Sequence, residues 1–164
     1  MWKRRFRHLE FSDRIRRVII SSRVLKVFRK YEQKSGELEA GGILFGNVYD
    51  DHDSIIKITL PNQLDTREFN FFNRSKIPAQ LQINKSWKRS NGYLIYLGEW
   101  HTHSEINPQP STTDIKMIKK TFRETEMEIN HLYLIIVGMG NSLWVGRQDS
   151  KGLVKLNVKN EYVI

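Results

Sequence analysis

His101 and His103 stand one residue apart, and Ser111 and Asp114 follow them after a short Pro-containing stretch. Alternate residues of a strand point to one side, so a His-x-His pair can aim two imidazoles at one ion. Imidazole suits zinc, and one carboxylate completes a three-ligand set whose fourth position stays open. A catalytic zinc needs that open position and a structural zinc does not. Two blander readings compete. The histidines fit equally as packed or solvent-tipped side chains at a strand end. Ser111-Thr112-Thr113-Asp114 also has the spacing of a helix capping box, with serine at N-cap and an acid at N3. Periodicity alone does not separate capping from ligation.

The elements that would position these residues are legible from periodicity and breakers. Val18-Ile19-Ile20 reads as a short strand. Ser21 or Ser22 then caps a helix to about Gln33, with Val24, Val27, Phe28 and Tyr31 on one face. Gly42 to Tyr49 and Ser54 to Leu60 read as paired strands around the turn Asp50 to Asp53, and Glu68 to Phe72 as a short strand. Pro78 suits the first turn of a helix that closes at Asn91-Gly92. Tyr93 to His101 is apolar on both faces, Tyr93, Ile95 and Leu97 against Leu94, Tyr96 and Trp100, which describes a buried central strand. Trp100 and Thr102 then face opposite the histidines, as packing residues. A helix follows from Thr112 to about Met127. Leu132 to Val137, Leu143 to Arg147 and Leu153 to Val158 are strands. This order predicts an α/β sandwich with a mixed sheet flanked by helices.

The chain has 164 residues and no cysteine. That length suits one domain, and the missing thiols remove disulfides, thiolate zinc sites and cysteine proteases. Neither a signal peptide nor a membrane span is expected: the basic start leads into no apolar run. A cytoplasmic location fits. The net charge is +9, and residues 1–17 carry seven Lys/Arg against Glu10 and Asp13, so +5 lies there. A basic arm can dock nucleic acid or an acidic partner. The remainder is mixed in sign, which favours a solvated terminus or a charge-guarded edge strand over a nucleic-acid partner.

His101-x-His103-x7-Ser111-x-x-Asp114 resembles the JAMM signature of the JAB/MPN metalloprotease family. That family also has an upstream glutamate in a Glu-x-Gly-Gly-x-Leu-x-Gly setting, which Glu39-Ala-Gly41-Gly42-Ile-Leu44-Phe-Gly46 matches. Among the rival acids Glu37, Glu99 and Glu105, Glu39 is singled out by the paired glycines, which allow close backbone approach. Glu99 shares a strand face with His101 and would sit behind the site. Where the family usually has proline after the second histidine, this chain has Ser104. The resemblance spans residues 15 to 158, giving a basic arm at 1–14 and a JAB/MPN-like domain at 15–164. The Glu-Trp-His-Thr-His context is most similar to bacterial JAB isopeptidases of CBASS anti-phage operons. His8, His52 and His131 are isolated and read as structural.

The resemblance implies a zinc metallopeptidase: His101, His103 and Asp114 as metal ligands, Glu39 as general base and Ser111 as oxyanion donor. It implies cleavage of an amide at the C-terminus of a conjugated protein, either a ubiquitin-like protein or the CBASS nucleotidyltransferase, with a ligase as partner. Only one helix length separates Asp114 from the next strand, which argues against polyubiquitin linkage specificity. Sulfur-carrier processing and a RadC-like, nucleic-acid-associated JAB protein are the alternatives. A non-catalytic scaffold fits poorly, because all five positions are filled.

Overall fold

The computed structural model describes residues 6–163. The strands are β1 (Phe6–Ser12), β2 (Arg17–Ser21), β3 (Gly41–Val48), β4 (His52–Ile58), β5 (Thr66–Glu68), β6 (Phe71–Asn73), β7 (Ile95–Thr102), β8 (Leu132–Val137), β9 (Leu143–Asp149), β10 (Gly152–Lys155) and β11 (Asn157–Val163). The helices are α1 (Ser22–Tyr31), α2 (Lys76–Arg89) and α3 (Thr112–Glu124). Nine strands form one mixed sheet in the order β10-β9-β8-β7-β3-β4-β2-β1-β11, while β5 and β6 make a separate hairpin. The pairs β2·β4 and β7·β8 are parallel.

Each face of the sheet buries its own core. Val24, Leu25 and Phe28 of α1 pack on one face with Val18, Ile20, Leu44, Leu97, Trp100 and Ile135. Ala79 of α2 and Ile118 of α3 pack on the other with Ile43, Phe45, Tyr96, Leu134 and Ile136. The expected sandwich, a mixed sheet flanked by helices, is therefore the observed fold. No helix among the described residues is long and apolar enough to cross a membrane.

Three features depart from the sequence pattern, each for a local reason. Regular alternation would put Trp100 with Tyr96, yet Trp100 joins Leu97 on the α1 side. Gly98, with φ +137°, carries a pairing irregularity against β3 that resets the alternation. Its missing side chain lets the Tyr133 backbone approach, a place where a Cβ would collide. The faces of Glu99, Trp100 and His101 thus follow from one glycine.

The expected strand Leu153 to Val158 is two strands. Buried Leu156 separates β10, at one end of the sheet order, from β11 at the other, and its N–H donates to the Val145 carbonyl (2.8 Å). One residue therefore brings the two sheet edges together. The last difference is the basic arm expected at 1–14. Residues 6–12 of it form β1, paired on both sides with β2 and β11, so a sheet strand precedes the expected boundary. Leu9 and Phe11 supply the burial that draws it in. Residues 1–5 lie outside the described region.

The end of the sheet remote from the His-x-His pair is closed by ionic groups. Buried Asp53 accepts from Arg16 Nη2 (2.6 Å) and Tyr133 OH (2.6 Å) and faces His131 Nε2 (2.6 Å). Burial pushes the Asp53 carboxyl up, but hydrogen bonds from His131, Arg16 and Tyr133 outweigh it and hold it at about 2. Arg147 joins this end to the β1–β2 turn through Asp13 (2.8 Å).

Candidate metal centre

β7 delivers His101 as its next-to-last residue, and His103 follows just beyond the strand, held extended by its N–H to the Val137 carbonyl (2.9 Å). Both rings are buried, and their Nε2 atoms lie 3.1 Å apart. Between them Thr102 faces the opposite way, fully buried. Its N–H donates to the Ala40 carbonyl (2.8 Å) and its Oγ1 accepts from the Ala40 N–H (2.9 Å). This stitch places residue 39 beside the histidine pair.

Asp114 arrives from the other side, at the N-terminus of α3. Ser111 Oγ accepts from the Asp114 N–H (3.1 Å), and Asp114 Oδ2 accepts from the Ser111 N–H (2.8 Å), a complete capping box. The same carboxylate faces the histidines, with Oδ1 3.3 Å from His101 Nε2 and Oδ2 3.3 Å from His103 Nε2. Capping and facing the histidine pair are therefore not alternatives here, because one carboxylate does both. Burial pushes Asp114 up, but hydrogen bonds and charge from His101 and His103 outweigh it and hold it well below the usual carboxylate range. For His103, burial acts downward, but Asp114, Glu39 and Glu105 raise it on balance.

Glu39 is buried with Oε1 3.7 Å from His103 Nε2. Burial, and to a smaller degree the charges of Asp114 and Glu105, raise its carboxyl to about 7 against the opposing pull of His103. The glycines that follow it are required by contact. A Cβ on Gly41 would come 2.6 Å from the Phe72 ring and 2.6 Å from the Trp100 carbonyl oxygen, and one on Gly42 would strike the Thr59 carbonyl.

The rival acids are placed elsewhere. Glu99 Oε1 accepts from Arg74 Nε (2.7 Å) and Tyr96 OH (3.2 Å), so its carboxylate serves an ion pair. Glu37 is exposed and caps the Lys34 N–H. Glu105, about half exposed, has Oε2 3.6 Å from His103 Nδ1, a buried nitrogen without a hydrogen-bond partner. Residues that sequence reasoning missed, Gln33 and Arg67, hold backbone carbonyls near Glu39. No motif announces such a role.

The donor set fits a metal ion. Ligand atoms of Glu39, His101 and His103 lie within 4.8 Å of one another. In a tetrahedral site with bonds near 2.0–2.1 Å, two ligand nitrogens stand about 3.3 Å apart. The His101–His103 nitrogen separation of 3.1 Å comes close to that value, and the two oxygens of Asp114 face the pair, Oδ1 3.3 Å from His101 and Oδ2 3.3 Å from His103. With nitrogen and oxygen donors only, the set suits zinc and similar borderline ions.

Comparison with known proteins shows the family and the fold. Residues 21–148 match the family model described as prokaryotic homologs of the JAB domain. A protein of Escherichia coli (strain TW11681) named CD-NTase/cGAS isopeptidase is 36% identical over 143 residues, covering 87% of this chain and 88% of its own. A Vibrio cholerae protein of the same name is 32% identical over 111 residues, 68% of each chain. A solution structure from Desulfitobacterium hafniense superposes with TM-score 0.57 at 15% identity, covering 83% of this chain and 87% of that one; it speaks for the fold alone.

Proposed function

Since the chain belongs to the family of prokaryotic homologs of the JAB domain, we propose that it is a zinc-dependent isopeptidase that releases a conjugated protein from its acceptor. The observation that carries this reading is the gathering of the His101 and His103 ring nitrogens against the Asp114 carboxylate, with buried Glu39 alongside. His101, His103 and Asp114 are the ligands, since Asp114 lies nearer both ring nitrogens than Glu39 lies to His103. A zinc ion bound there supplies Lewis acidity, which brings the pKa of water from 15.7 to about 7.

Glu39 takes the proton of the attacking water and passes it to the leaving amine. Burial raises the proton affinity of this carboxyl, which suits a group that takes up a proton and hands it on. Ser111 Oγ accepts the capping N–H through a lone pair and keeps its own O–H to donate to the developing oxyanion. The amide C–N bond breaks, the carbonyl carbon gains the water oxygen, and a free carboxylate and amine leave. No covalent acyl-enzyme is needed.

By likeness to relatives named for CD-NTase/cGAS, the bond is the amide between a nucleotidyltransferase C-terminus and an acceptor amine, and the setting is CBASS defence. The loop from α3 to β8 is short, which leaves no insertion there to read a polyubiquitin linkage. The test is cleavage of such a conjugate with and without chelator. Loss with chelator and recovery with zinc support the reading; cleavage indifferent to chelator refutes it.

A further inference from the structure

Glu39 stands on a non-strand stretch between Gly36 and β3. A base must meet its proton within hydrogen-bond reach, so its backbone has to be fixed. The Glu39 N–H donates to the Glu68 carbonyl (2.8 Å), and the Glu39 carbonyl accepts from Arg67 Nε (2.7 Å). Nη2 of Arg67 also reaches the Leu38 carbonyl (3.4 Å). Two consecutive residues of β5 thus occupy both backbone polar groups of residue 39. From behind, buried Gln33 donates through Nε2 to the Glu37 carbonyl (2.8 Å) and the Phe69 carbonyl (2.9 Å). Phe72 of β6 lies against Gly41, the residue paired with His101.

β5 and β6 have three residues each, and all of β5 is exposed. A two-stranded hairpin of this size has no stability of its own, so its order comes from these attachments. We infer that the β5–β6 hairpin is a clamp that sets the position of Glu39, and that Arg67 is the positioning residue that pins it; this rests on Glu39 being the base. The planar guanidinium fork suits two successive carbonyls, whereas a lysine offers a single point of charge. Arg67 touches no reacting atom and acts through the Glu39 backbone.

The test compares Arg67→Ala and Arg67→Lys in the full zinc-loaded chain. The readouts are amide hydrogen exchange at Glu39, zinc content, kcat and KM. Arg67 is exposed, so folding is expected to survive. Arg67→Ala should speed exchange at the Glu39 amide and lower kcat roughly ten- to hundredfold, as loss of one charge-assisted hydrogen bond implies. KM and zinc content should stay unchanged, and Arg67→Lys should recover part of kcat. Unchanged exchange, unchanged kcat, or an effect confined to KM or zinc overturns the inference. If the wild-type protein cleaves no conjugate, the proposed reaction fails, and exchange at Glu39 alone decides whether Arg67 holds that segment.

Discussion

Buried His101 and His103 bring their Nε2 atoms within 3.1 Å of each other, with the Asp114 carboxylate 3.3 Å from both. A buried carboxylate beside two converging ring nitrogens calls for a cation. We expect about one zinc per chain in protein purified without added metal, the stoichiometry of a single three-ligand site. His103→Ala should lose most of it. Elemental analysis decides this, and zinc-free protein that gains no activity on zinc addition would remove the metal assignment.

Glu39→Gln should keep fold and zinc and lose about 10²- to 10⁴-fold in turnover, the usual range for a general acid–base group. Glu99→Gln should leave the chemistry largely intact, because Glu99 is paired with Arg74 and Tyr96. Steady-state kinetics of the two variants separate these roles. A dead Glu99→Gln beside an active Glu39→Gln would transfer the base to Glu99.

Much of this site was legible in the sequence because its constraints are local. That His101 and His103 share a side follows from their i, i+2 spacing in extended chain, and Ser111 and Asp114 are set by the first turn of a helix. Gly41 and Gly42 betray a close approach without saying what approaches; Phe72 and Thr59 are the answer. Other features depend on partners distant in the chain. The irregularity at Gly98 is set by the Tyr133 backbone, and the break at Leu156 by the meeting of two sheet edges. Arg67 and Gln33 act on carbonyl groups, which every residue has, so side-chain pattern cannot reveal them.

Ser111 carries two roles that substitution can separate. Ser111→Ala should cost about 1 kcal/mol of stability through the lost cap, and Ser111→Gly only a few tenths. Both should lose roughly 10²-fold or more in kcat, since neither has an oxyanion donor. Thermal unfolding and kinetics on the pair give the answer. If Ser111→Gly retains full turnover, Ser111 is a cap and nothing more.

Acid stability should report on Asp53. Its folded value of about 2 lies below the ordinary 3.8, so its contribution is complete above pH 3.8 and is lost as pH falls toward 2. The difference corresponds to about 2 kcal/mol. Asp53→Asn should lower stability at pH 7 by about 3 kcal/mol, because Arg16 loses its counter-charge. It should also flatten the fall between pH 4 and 2. Urea unfolding across that range checks it, and identical acid limbs in both proteins would contradict the assignment.

The proposed reaction is hydrolysis of a C-terminal amide. Its most direct measurement is intact-mass spectrometry of a nucleotidyltransferase joined through its C-terminal carboxyl to an acceptor lysine, incubated with zinc-loaded protein beside diubiquitin. The nucleotidyltransferase should be released with its native C-terminal carboxylate, Glu39→Gln should abolish that release, and diubiquitin should stay intact. Diubiquitin cut in preference would contradict the substrate, and neither conjugate cut by fully zinc-loaded protein would contradict the reaction.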